Sequence, residues 1–165
     1  MTVVLPGQVG TVPAEMRATV LSGTGLEQLA VRTVPVPRPG PGQLLARVDA
    51  AGICTSVNKL IDQGVAHPLM NGWDPAVHPA IVGDEGTVTL VAVGEALRFD
   101  YEPGQRFAVQ PALDIAPINH LERYADGGRG IAKIAVGYSL PGLLAEYILI
   151  GYEIVAAGGL LPRPG

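Results

Sequence analysis

The chain has a single cysteine, Cys54, among 165 residues. An internal disulfide and any cysteine-rich zinc knuckle are excluded on that count, and Cys54 can act only as a thiol, a thiolate or a small buried residue. Charge is scarce as well. Charged residues make up 16% of the chain, the formal net charge is −4, and no Lys/Arg cluster occurs. The electrostatic footprint of a nucleic-acid binder is missing, so no nucleic-acid partner is expected. The opening MTVVLPGQVGTVP has no basic residue ahead of its short apolar run and carries proline and glycine early. It does not read as a secretory signal; residues 1–15 are expected to form a flexible leader, and the protein to be cytoplasmic. The longest apolar stretch, Ile134 to Leu161, is divided by Pro141, Glu146 and Glu153. Its pieces are shorter than a membrane helix requires, so no membrane partner is expected and the stretch reads as core strands.

What is abundant points to a folded β protein. Hydrophobic residues make up 48% of the chain, enough to bury a core. The length suits one domain, expected over residues 16–165. Glycine (22) and proline (15) punctuate short strands and turns more readily than long helices. Strands are expected at MRATVL (16–21), LEQLAVRTVPVP (26–37), QLLARVDAAGIC (43–54), GTVTLVAVG (86–94), GQRFAVQPAL (104–113) and, once or twice, within LLAEYILIGYEIV (143–155). In residues 43–54 the alternation of Leu45, Arg47 and Asp49 against Leu44, Ala46 and Val48 fits a half-exposed strand. TSVNKLIDQG (55–64) reads as a short helix capped by Thr55 or Ser56 and ended by Gly64. Residues 67–79, broken by three prolines, read as an irregular loop, and 114–133 as a loop-rich lobe. Mostly strands, with short helices and no sustained strand–helix–strand alternation, predict a compact, irregular β-barrel.

One stretch is electrostatically awkward. HPAIVGDEGTVTLVAVGE (78–95) sets Asp84 and Glu85 side by side at the mouth of an apolar strand. Carboxylates leave water only against a cation, a hydrogen-bond donor or a proton, and one of these must be supplied. The candidates are a metal ion or, more simply, backbone N–H groups and an arginine. Two glycine-rich pieces, GTGLEQ (23–28) and GRGIAK (128–133), begin like a dinucleotide fingerprint but lack the third glycine and its strand and helix.

Four phrases in order, VDAAGICTS, HPAIVGDEGTVTLVAVGE, PGQRFAVQP and GLLAEYILI, resemble the medium-chain dehydrogenase/reductase family over roughly residues 16–162. In its zinc-dependent alcohol and polyol dehydrogenases the corresponding phrases run G-I-C-G-T-D, P-x-x-x-G-H-E-G, P-G-D-R-V and G-x-x-A-E-Y. The resemblance implies a GroES-like catalytic domain, a distorted β-barrel. It also implies zinc, a small alcohol or polyol substrate, and NAD(P) held by a separate Rossmann domain that this sequence does not include. Alone, the chain is then expected to lack dehydrogenase activity. Carried over by position, the metal ligands are Cys54, Asp84 and Glu85. Asp84 departs from the family's histidine, and Val57 replaces an aspartate that often follows the cysteine by three positions. Zinc accepts thiolate and carboxylate as well as imidazole, so the donor set becomes all-anionic without being abolished.

Ser56 matches the hydroxyl residue that contacts the substrate oxygen and relays its proton; a helix N-cap is its other reading. His67, His78 and His120 fall outside the ligand positions, and Trp73 and Met70 are candidates for a substrate entrance. The family's four-cysteine structural zinc is ruled out, since residues 111–141 contain no cysteine. A contrasting reading is a non-catalytic GroES-like module with a decayed metal site, associating with another protein or with its own copy as a homo-oligomer.

Overall fold

The computed structural model describes residues 2–3, 11–114 and 133–163. The lobe expected over 114–133, with His120, therefore lies almost wholly outside the described residues. Strands β1 (Thr2–Val3) and β2 (Val12–Pro13) pair with each other, and Val12 is buried beneath Leu45 and Ala92. Part of the segment read as a leader is thus tied to the body. It also covers the second face of its neighbour. Strand β5 (Leu44–Ala51) is buried at Leu44, Leu45 and Ala46, rather than on alternate residues only.

The main sheet is antiparallel and five-stranded. Its order is β11 (Tyr147–Ile150), β5, β7 (Gly86–Val93), β8 (Arg106–Val109) and β12 (Leu160–Pro162). A second, three-stranded sheet contains β4 (Leu29–Pro35), β3 (Glu15–Leu21) and β6 (Ala80–Ile81). Strands β9 (Ala112–Asp114) and β10 (Lys133–Ala135) form a separate pair. Backbone bonds stitch β3 to the segment entering β11: Thr19 N–H donates to Leu144 O at 2.8 Å, and Glu146 N–H to Arg17 O at 3.1 Å. The sheets therefore curl towards one another as a distorted barrel rather than lying open. The main core fills the interior with Leu44, Val88, Leu90, Phe107, Ile148 and Ile150 among others.

Helix α1 (Thr55–Gln63) turns Val57, Leu60 and Ile61 inward, the spacing of one helical face, onto Leu21, Met70, Val82 and Tyr138. It ends at Gly64, whose φ of 53° suits glycine. Neither expected cap, Thr55 nor Ser56, holds that position: Cys54 is the N-cap, which frees the Ser56 side chain for another partner. The second expected strand within 143–155 is instead a helical turn, α2 (Tyr152–Ala156). Ile150 already faces Leu44, the first residue of β5, so the ladder has no partner to continue on. No helix among the described residues is long and apolar enough to cross a membrane.

Candidate functional site

Strand register assembles the site. The β5–β7 ladder ends with Ala51 opposite Gly86, and Gly52 N–H donates to Glu85 O at 2.9 Å. Running two or three residues beyond that point leads to Cys54 on one side and to Gly83 and Asp84 on the other. Glycine lets the strands come this close. Gly83 has φ +101°, its carbonyl accepts from Leu143 N–H at 2.8 Å, and a Cβ there would lie 2.7 Å from Leu144 N. A Cβ on Gly86 would lie 2.4 Å from Ala50 O.

The centre of the cluster is a hydroxyl. Ser56, on the first turn of α1, donates through Oγ to Asp84 Oδ2 at 2.6 Å. The other carboxylate oxygen, Asp84 Oδ1, is buried with no hydrogen-bond partner. Half-buried Cys54 stands beside the pair. Its thiol is pulled below the usual cysteine range by the Ser56 hydroxyl first and the Ser56 backbone N–H second, against burial and the Asp84 charge. Tyr138, 4% exposed, lies against Ser56. Burial pushes its phenol up, and the charges of Asp84 and Cys54 add to this, while the Ser56 hydroxyl opposes it.

Glu85 is not brought into this group. It is exposed, and its side chain lies along Gly52, where an added Cβ would meet Glu85 Oε1 at 2.7 Å. Among the described residues no three His, Cys, Asp or Glu side chains gather closely enough to hold an ion. His67 instead packs its ring 4.8 Å from that of Tyr138 and accepts from Leu69 N–H through Nδ1. Burial, then Lys59, lowers its pKa, which disfavours the charged imidazolium. His78 is exposed, its ring tilted against that of Trp73 at 5.0 Å between centroids, and its carbonyl accepts from the Trp73 indole. Met70 is fully buried and belongs to the core rather than to an entrance.

Two donors are nonetheless suited to a divalent ion. A buried carboxylate oxygen without a donor is costly, and a cation would remove that cost. Beside it is a thiol already disposed to lose its proton, and zinc takes both ligand types. The chemistry of Cys54 Sγ and Asp84 Oδ1 therefore fits a metal, with Glu85 one residue away. Sequence reasoning missed Tyr138. Its only sequence signal is the neighbouring Gly137, which is pressed against Gly83 so closely that a Cβ would lie 2.5 Å from the Gly83 carbonyl oxygen.

Comparison with known proteins agrees with the architecture. The family model for the alcohol dehydrogenase GroES-like domain matches residues 40–158. L-sorbose 1-phosphate reductase of Klebsiella pneumoniae is 29% identical over 149 residues, covering 89% of this chain and 33% of that protein. Sorbitol dehydrogenase of Ovis aries is 31% identical over 98 residues, covering 59% of this chain and 25% of that protein. The structure of acetophenone reductase from Geotrichum candidum, solved in complex with NAD, aligns with a TM-score of 0.67 at 25% identity. That match covers 94% of this chain and 42% of the other. Against its first curated relatives the chain thus spans between about a third and two fifths of their length.

Proposed function

The chain belongs to the alcohol dehydrogenase GroES-like domain family, and from that premise we propose that it is the substrate- and metal-binding part of an NAD(P)-dependent, zinc-type alcohol or polyol dehydrogenase. The observation that carries this reading is the Cys54–Ser56–Asp84 cluster, with one buried carboxylate oxygen left over for a cation. Cys54 Sγ and Asp84 Oδ1 would hold zinc, whereas Glu85, the third ligand expected from sequence, lies along Gly52 and stays outside the group. When bound, zinc supplies a Lewis acid that polarises an alcohol or carbonyl oxygen.

The remaining chemistry belongs to the chain's own side chains. The Ser56 proton is directed at Asp84 Oδ2, and Oγ, which also faces the Cys54 thiol and the Tyr138 phenol, would act as the acceptor for a substrate hydroxyl. A proton leaving the substrate would reach Ser56 Oγ as the serine's own proton moves towards Asp84 Oδ2. Val57, Leu60 and Tyr138 form an apolar backing that strengthens these hydrogen bonds. The nicotinamide that accepts the hydride would be held by sequence outside these 165 residues. By this reading the isolated chain turns over no alcohol with NAD or NADP.

Metal analysis tests the proposal directly. The purified chain is expected to carry close to stoichiometric zinc, and Cys54→Ala and Asp84→Ala each to lose it. A parent chain that takes up no zinc, or variants that retain it, would overturn the metal assignment.

A further inference from the structure

The placement of Ser56 carries a second consequence, which rests on the zinc reading above. Ser56 and Asp84 are 28 residues apart, yet their side chains meet at 2.6 Å. Ser56 sits on the first turn of a helix whose next residue, Val57, is buried in the second core cluster together with Leu60 and Ile61. Its position is therefore set by packing. Asp84 follows a glycine fixed at φ +101° and bonded to Leu143. The hydroxyl bond ties these two rigid pieces together through Asp84 Oδ2, and it leaves Oδ1 buried without a partner.

We propose that Ser56 is a positioning residue for the metal centre: its hydroxyl pins Asp84 Oδ2, so that Asp84 is left to ligate through Oδ1 alone. The serine thus does for this carboxylate what outer hydrogen-bond partners do for metal-bound imidazoles, a contact whose loss weakens metal affinity about 10–100-fold. Without the hydroxyl, both carboxylate oxygens lack a donor and the side chain can rotate.

The test is zinc and cobalt(II) affinity of the full 165-residue chain, measured by competition with a chromophoric chelator, with circular dichroism as the folding control. Ser56→Ala is expected to bind about 10–100-fold more weakly, whereas Ser56→Thr, which restores the donor, stays near the parent. The cobalt–thiolate charge-transfer band should persist in saturated Ser56→Ala, because Cys54 is untouched. Ser56→Val, the isostere of the threonine variant without its hydroxyl, covers a Ser56→Ala that does not fold; it should behave as Ser56→Ala does. Equal affinities for Ser56→Thr and Ser56→Val overturn the positioning role while leaving the zinc reading intact. A parent that binds neither ion overturns both.

Discussion

Gly83→Ala isolates the constraint that places Asp84. Gly83 has φ +101°, a region where an alanine costs about 1–3 kcal/mol in backbone strain. The added Cβ would also lie 2.7 Å from Leu144 N and 2.7 Å from Leu144 Cγ. The backbone atom has little room to retreat, because Leu144 N–H donates to Val82 O at 2.9 Å and Leu143 N–H to Gly83 O at 2.8 Å. Overpacking of this kind adds about 1–3 kcal/mol, for a total of about 2–6 kcal/mol. Gly104→Ala supplies the control. Its φ is +94°, and no heavy atom lies within 4 Å of the added Cβ, so it bears the strain alone. In urea, with a slope of about 2 kcal/mol/M, the midpoint of Gly83→Ala should fall about 0.5–1.5 M below that of Gly104→Ala. Zinc affinity should fall in Gly83→Ala only. Midpoints that agree to within about 0.2 M would refute the steric argument and the placement of Leu144 over Gly83.

Three further outcomes follow from the same geometry. Alkylation of Cys54 in the metal-free chain should have its pH midpoint below that of an ordinary cysteine, and Ser56→Ala should move it up, as read from iodoacetamide rates against pH. Burial raises the Asp49 pKa, but the Thr89 hydroxyl, then Arg47 and Arg106, more than offset this and hold it below the usual range. Its contribution to stability is therefore present above the unfolded aspartate pKa and lost as pH falls through the lower folded value. Denaturation midpoints from pH 7 down to acid should show that Asp49→Asn removes part of the acid slope and costs ~0.5–1 kcal/mol at neutral pH. Leu60→Ala opens a cavity between α1 and the cluster of Leu21, Met70, Val82 and Tyr138; it should lower stability by about 2–5 kcal/mol in urea unfolding.

The parts of the molecule that were legible in its sequence are those governed by local chemistry. The β-branched run from Gly86 to Val93 is a strand because its alternate residues Val88, Leu90 and Ala92 are buried. The helix after Cys54 forms and ends at Gly64, the terminator its own sequence offers. Cys54 and Asp84 could be paired because four phrases in fixed order resemble a family, and the antiparallel register of β5 and β7 is the physical form of that order. Tertiary contacts decided what was not legible. Val12 is buried because Leu45 needs a cover, although composition around it reads as leader. Residues 152–156 turn helical because β11 has run past Leu44, where β5 begins, which no window of their own sequence reports.

Ser56 shows the limit most clearly. A serine two residues into a helix-forming stretch serves equally as a cap or as a free hydroxyl on local grounds. Only a carboxylate that arrives 28 residues later, on a glycine in a conformation reserved for glycine, decides between them. The departure of Asp84 from the family's histidine then becomes intelligible as half of a pair. A carboxylate has two oxygens, so it can accept the Ser56 proton on one and still present the other to a cation, whereas an imidazole has one nitrogen to offer at a time in each direction. The substitution and the serine are best read together, since each accounts for an atom of the other.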